Sequence, residues 1–263
     1  MNVLLRNLMF GAATAAIALM PCVVHAQITM SATYYTIAES DQDMNHLAGG
    51  VFNNEVQSGL GVDGLPVLNT PAYGCSSGCF TSTPMPADLT SSGEITWWSP
   101  TLNKGGAGGV SDVVKTGTGT IMLPYANGSF YPTNGTGPND ANGFQAAVFS
   151  TVLNVPTTES ISFNVGADDT AFVYLNGQIV CDLGGVHGDS AGTCTSGILS
   201  AGSNTLELFF ADIEETGAAL TFGVTTEGVT GAPPPANGNV PEPASLALLG
   251  LGLAGMRFAR RRK

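Results

Sequence analysis

The 263-residue chain has a formal net charge of −12, and between residues 27 and 240 it carries nineteen acids against two bases, Lys104 and Lys115. So acidic a segment repels phosphate backbones, which excludes nucleic acid as a partner and leaves divalent cations and neutral sugars compatible. That stretch is long enough to bury the core of one large domain.

Residues 1–26 hold one positive charge at Arg6, an apolar run from Leu8 to Met20, and short side chains at Val24 and Ala26. These are the parts of a secretory signal peptide, with cleavage expected between Ala26 and Gln27, so the protein is expected to be exported.

From residue 27 onward helical periodicity is absent until the C-terminal tail. Alternating or β-branched runs predict strands at Thr29–Ile37, Glu94–Trp98, Gly119–Leu123, Ala146–Val155 and Ser160–Val165. Further strands are predicted at Ala171–Leu175, Gln178–Asp182, Asn204–Ala211 and Ala219–Thr225. Asn176-Gly177 lies between two of these runs and predicts a type I′ hairpin turn. Many strands with turn punctuation point to an all-β fold, a single antiparallel β-sandwich or barrel over residues 27–226. Glycine-, serine- and proline-rich stretches at 99–109 and 126–143 read as long loops, anchored by Phe130, Tyr131 and Phe144.

Four cysteines follow the signal peptide: Cys75, Cys79, Cys181 and Cys194. An even number in an exported chain points to disulfides. The favoured connectivity is Cys75–Cys79 with Cys181–Cys194, because each pair brackets a turn-rich segment. In the chain-entropy account the second bridge is worth about 3 kcal/mol. The CSSGC spacing has no second ligand pair nearby, which argues against zinc. Trp97 and Trp98 are adjacent, and in a strand only one can face the core; the other is a sugar-stacking platform or is covered by a loop, and cover is expected.

The stretch GADDTAFVYLNGQIVCDLGGVHG, residues 166–188, concentrates ionisable groups around the hairpin signal. Asp168 and Asp169 head the predicted strand, with Asp182, His187, Asp189, Asp212 and Glu214 as possible further ligands or loop contacts. Calcium takes six to eight oxygen ligands, so two carboxylates can begin such a site without completing it. Adjacent strand residues point to opposite faces, so both reach one ion only where the backbone is irregular, which Gly166 would permit. The bland alternative is that these acids cap a strand and form Asx turns. His187 reads as a loop residue fixing the Gly184-Gly185 turn. GDSAG at 188–192 matches the nucleophile-elbow pattern around Ser190, but that motif needs a strand before it and a helix after it. Adjacent carboxylates also make a poor glycosidase pair, which needs about 5 Å or more between its acids. No enzymatic activity is expected.

After a Gly/Pro-rich linker at 227–240 comes VPEPASLALLGLGLAGMRFARRRK. Residues 244–259 are largely apolar and would rise about 24 Å as a helix, short of the roughly 30 Å hydrocarbon core. The basic end would stay cytoplasmic. Pro241, Glu242 and Pro243, the apolar helix and the arginine cluster together resemble the PEP-CTERM sorting signal. That resemblance implies transient anchoring in the inner membrane of a Gram-negative bacterium and processing by an exosortase, often alongside exopolysaccharide production.

The 166–188 block, with the later LFFADIEETGAALTF, resembles the fibro-slime domain. LGVDGLPVLN, Trp97-Trp98 and NGSFYPTNG are similar to that family's earlier blocks, so the resemblance spans roughly 30–226. The chain departs from the family at Asp212-Ile213, where an acid-Arg pair is usual, and at Thr170, where a third acid is common. The family is itself similar to the protective-antigen-type β-sandwich, in whose lectin branch an Asp-Asp pair holds calcium and the calcium holds sugar hydroxyls. Carried over, that pair is Asp168 and Asp169. The function implied is adhesion or biofilm-matrix binding of extracellular polysaccharide or surface glycans through calcium. The alternative is a structural matrix protein of the same fold without a small ligand.

Overall fold

The computed structural model describes residues 27–41, 43–44, 50–69, 88–132, 143–214 and 217–232. The expected signal peptide, the Cys75–Cys79 bridge and the C-terminal apolar helix lie outside them. The described residues contain thirteen strands and no α-helix, which makes the fold all-β. The strands are β1 (Thr29–Ile37), β2 (Val56–Leu60), β3 (Pro66–Leu68), β4 (Val113–Met122), β5 (Tyr125–Asn127) and β6 (Phe144–Val155). They continue with β7 (Ser162–Asp168), β8 (Thr170–Leu175), β9 (Gln178–Leu183), β10 (Ser190–Thr195), β11 (Gly202–Ala211), β12 (Ala219–Val224) and β13 (Thr230–Gly231).

Two antiparallel sheets form. The larger runs β3-β2-β9-β8-β11-β6-β1-β4, with β13 pairing β6 beyond residue 226, and the smaller runs β10-β7-β12-β5. Between them lies a core that includes Met30, Phe149, Phe163, Val165, Val173, Leu208, Phe210 and Phe222. A second core covers the outer face of the larger sheet and includes Trp97, Trp98, Phe172, Tyr174 and Phe209. Strand periodicity explains the split. In β8, Ala171, Val173 and Leu175 enter the first core, while Phe172 and Tyr174 enter the second. With both faces buried, AFVYL and LFFA are continuous apolar runs rather than alternating ones.

The Asn176-Gly177 turn has positive φ at both residues, 53° and 71°, as a type I′ hairpin requires. Cys181 of β9 is disulfide-bonded to Cys194 of β10, so the bridge staples one sheet to the other.

Glu94–Trp98 is not a strand. Glu94 and Ile95 make single bridges to Val67 and Leu89, and Trp97 and Trp98 sit in a turn. Both rings are buried, because the second core takes them together. Trp98 packs edge-on against Phe172 and Phe209, and its indole N–H donates to the Phe210 carbonyl at 2.7 Å. Neither ring is a sugar platform.

Candidate functional site

Asp168 and Asp169 lie where the chain leaves one sheet for the other. Asp168 ends β7 and pairs with Ala219 in the smaller sheet, while Thr170 opens β8 and pairs with Ala211 in the larger. The peptide bond between the two aspartates is cis. The irregularity is therefore at the pair itself, whereas Gly166 sits within the regular β7 ladder, opposite Ala191 and Thr221.

Asp169 is 1% exposed and gathers three backbone amides. His187 donates to Oδ1 at 2.7 Å, and Ile213 and Glu214 donate to Oδ2 at 2.7 and 2.9 Å. One carboxylate thus holds both the 184–188 loop and the start of the loop after β11. The Thr170 hydroxyl donates to the Gly185 carbonyl, and the Gly185 amide donates to Glu55 Oε2 at 2.6 Å. Gly185 has φ 93°, and a Cβ there would strike the Gly50 carbonyl and the Phe52 ring, so the position requires glycine.

Asp168 is half-buried and receives the amide of Asp189. Burial, then the charges of Asp169, Asp189 and Glu214, push its carboxyl up to about 7. Burial also raises Asp169, to about 6, against the opposing pull of its three amides. His187 is buried with Nδ1 3.0 Å from the Gly188 carbonyl, and desolvation lowers its pKa.

The corner therefore brings together Asp168, Asp169, His187, Asp189 and Glu214. Asp182 serves another contact: its Oδ2 accepts the Val56 amide at 2.9 Å, pinning β2 to β9. Asp212 is fully buried, and its amide donates to the Gln145 carbonyl. Ser190 begins β10 opposite Ala167, with a loop before it and no helix after it, so the elbow arrangement is absent. Sequence reasoning missed Glu55 and Thr170, whose clamping roles arise only from contacts across the fold.

The donor set at the corner is all oxygen apart from the His187 ring, which suits a hard cation. An ionised carboxylate offers about four lone-pair positions, and three on Asp169 are occupied by amides, so one remains. Asp168, with one amide identified on it, is the better placed of the two to meet an ion, with Asp189 and Glu214 as neighbouring acids.

Beyond the described residues, the chain closes on VPEP, a glycine-rich apolar run and RRRK. Residues 239–263 are a PEP-CTERM protein-sorting motif. PEP-CTERM sorting marks the chain as an exported bacterial protein, transiently held at a membrane and handled by an exosortase. Similarity to curated proteins is local. Protein psiE and Protein psiB of Dictyostelium discoideum are each 36% identical over 61 residues, which is 22% of this chain and 12% and 11% of theirs. Among solved structures, the chain is similar to a PA14 sugar-binding domain from an RTX adhesin, with 13% identity and a TM-score of 0.35 over 79% of this chain and 95% of that one. It is also similar to the Epithelial Adhesin 9 A domain from Candida glabrata, solved with Galb1-4GlcNAc, with 11% identity and a TM-score of 0.34 over 77% and 85%.

Proposed function

We propose that this exported, exosortase-sorted protein is a surface or extracellular-matrix component that binds polysaccharide or surface glycans through a calcium ion at the Asp168–Asp169 corner. The observation carrying this reading is that Asp168 faces the charges of Asp169, Asp189 and Glu214 together. A divalent cation would relieve that crowding, and Asp168 with the free lone pair of Asp169 would hold it. When bound, calcium supplies open coordination positions that vicinal sugar hydroxyls can fill. The resemblance of the 166–188 block to the fibro-slime domain supports the same assignment. Few sugar atoms meet such a site, so monovalent affinity is expected to be weak and avidity to come from many copies on a surface.

One observation favours a second reading, a matrix protein with no small ligand. Three of the Asp169 acceptor positions serve the fold itself, as a purely structural corner would use them. A glycan array probed with and without chelator separates the two. Calcium-dependent signal that Asp168→Asn abolishes supports glycan binding. Absence of any calcium-dependent signal leaves the matrix role.

A further inference from the structure

A second group of acids gathers at the same end of the larger sheet. Asp41 follows β1, Asp112 precedes β4, and Asp88 lies before the Trp97-Trp98 turn. One carboxylate oxygen from each lies within 4.8 Å of the others. Asp41 and Asp88 are 3% and 1% exposed.

The surrounding contacts orient these carboxylates and leave one side of them bare. Asn103, fully buried, donates from Nδ2 to Asp88 Oδ1 at 2.8 Å, and its Oδ1 accepts the amides of Gly105 and Asp112 at 3.1 and 3.2 Å. Asp41 Oδ1 accepts the Asp43 amide at 2.8 Å. Asp41 Oδ2, Asp88 Oδ2 and both Asp112 oxygens are buried and receive no hydrogen bond from any other side chain, while the Asp41 carboxyl pairs with those of Asp88 and Asp112. Independently, Gly105 marks the space these side chains surround. A Cβ built there would meet Asp88 Oδ1, and it would lie 3.0 Å from both Asp112 Oδ1 and Asp41 Oδ2. Carboxyl oxygens crowded at one space in this way must share a proton or take up a cation.

We propose that Asp41, Asp88 and Asp112 form a calcium site, held in shape by Asn103 and kept open by Gly105. The donors are carboxylate oxygens without nitrogen or sulfur, which suits a hard cation and not zinc. Calcium accepts six to eight oxygen ligands in flexible geometry, whereas magnesium demands a near-ideal octahedron, so three carboxylates drawn from three separate segments suit calcium better. The ion links the segment after β1, the segment before β4 and Asp88, whose carbonyl accepts the Thr96 amide next to Trp97 and Trp98. It acts as a clip on the layer that covers the second core. Three strand spacings, about 14 Å, separate β1 from β8, and the two sites share no residue. The two assignments therefore stand or fall separately.

The test strips the purified protein with chelator and titrates calcium by calorimetry, with melting followed in parallel. Expected is a calcium ion bound by wild type and by Asp168→Asn, and lost or weakened at least about tenfold in both Asp112→Asn and Gly105→Ala. In chelator, Asp112→Asn is expected to melt above wild type, because it removes a repelling charge and adds a donor toward Asp41 and Asp88. In calcium it is expected to melt below wild type. This reversal is specific to a cation site, and Gly105→Ala tests the same space without changing charge. The proposal is overturned if the stripped wild type takes up no calcium, or if Asp112→Asn and Gly105→Ala keep both the wild-type stoichiometry and the wild-type affinity. An equal melting shift with magnesium overturns the choice of calcium. Loss of the only bound ion in Asp168→Asn, with none lost in Asp112→Asn, overturns this site and supports the corner.

Discussion

The backbone N–H of His187 donates to Asp169 Oδ1 at 2.7 Å, so a residue at the sheet-switching corner anchors a loop eighteen positions further along the chain. With the Ile213 and Glu214 amides on the other oxygen, Asp169 is the point at which two loops meet one strand.

That arrangement separates the two aspartates by experiment. Asp169→Ala would leave three amides without their acceptor and is expected to cost about 3 kcal/mol or more, read as a lower urea midpoint at unchanged m. Asp168→Asn is expected to be neutral or slightly stabilising in chelator, since it removes one of several mutually repelling charges. Equal destabilisation by the two substitutions would contradict this division of labour.

Stability should depend on pH in an unusual direction. Burial raises Asp182 from an ordinary 3.8 to about 7, so between those values the folded state binds more protons than the unfolded chain. In chelator, stability is therefore expected to rise as pH falls from 8 toward 6.5, by at most about 1.4 kcal/mol per pH unit for each such carboxyl. Asp168, raised to about 7, acts in the same sense. Below about 6.5 the buried, neutral His187 opposes the trend, because its lowered pKa lets the unfolded chain take up the proton first. Asp182→Asn keeps an acceptor for the Val56 amide and should flatten the rise; melting scans from pH 8 to 6 measure it.

The Cys181–Cys194 bridge closes a thirteen-residue separation and joins the two sheets. Replacing both cysteines by alanine is expected to cost about 3 kcal/mol in the chain-entropy account, a drop of about 6–12 °C in Tm for a domain of this size. A drop under about 2 °C would show that the sheets hold together without the staple.

Gly185→Ala puts a methyl group against the Gly50 carbonyl and the Phe52 ring at a positive φ. A loss of about 2 kcal/mol or more is expected. The same substitution at Gly177, which has open space around its Cβ position, should cost less, so the pair of variants separates crowding from backbone preference.

Local chemistry made much of this protein legible. The period-2 pattern placed β1 at Thr29–Ile37, and Asn-Gly placed the hairpin between β8 and β9, because both depend on neighbouring residues alone. Cys181–Cys194 followed from the turn-rich segment it brackets. The PEP-CTERM tail was readable because its parts are contiguous. In contrast, β10 lies in SAGTCT, mostly solvent-facing at the sheet edge, and a strand with little to bury leaves no alternation to read.

The sequence by itself determined the all-β class, the hairpin, the sorting tail and the adjacency of Asp168 and Asp169. Only the tertiary structure decided that Trp97 and Trp98 are both buried, because a second core on the outer sheet face receives them outside any strand. Only it placed Glu55 under Gly185, and only it brought Asp41, Asp88 and Asp112 to one point. Their positions follow from where β1 and β4 end once paired, and strand pairing joins residues that no local spacing connects.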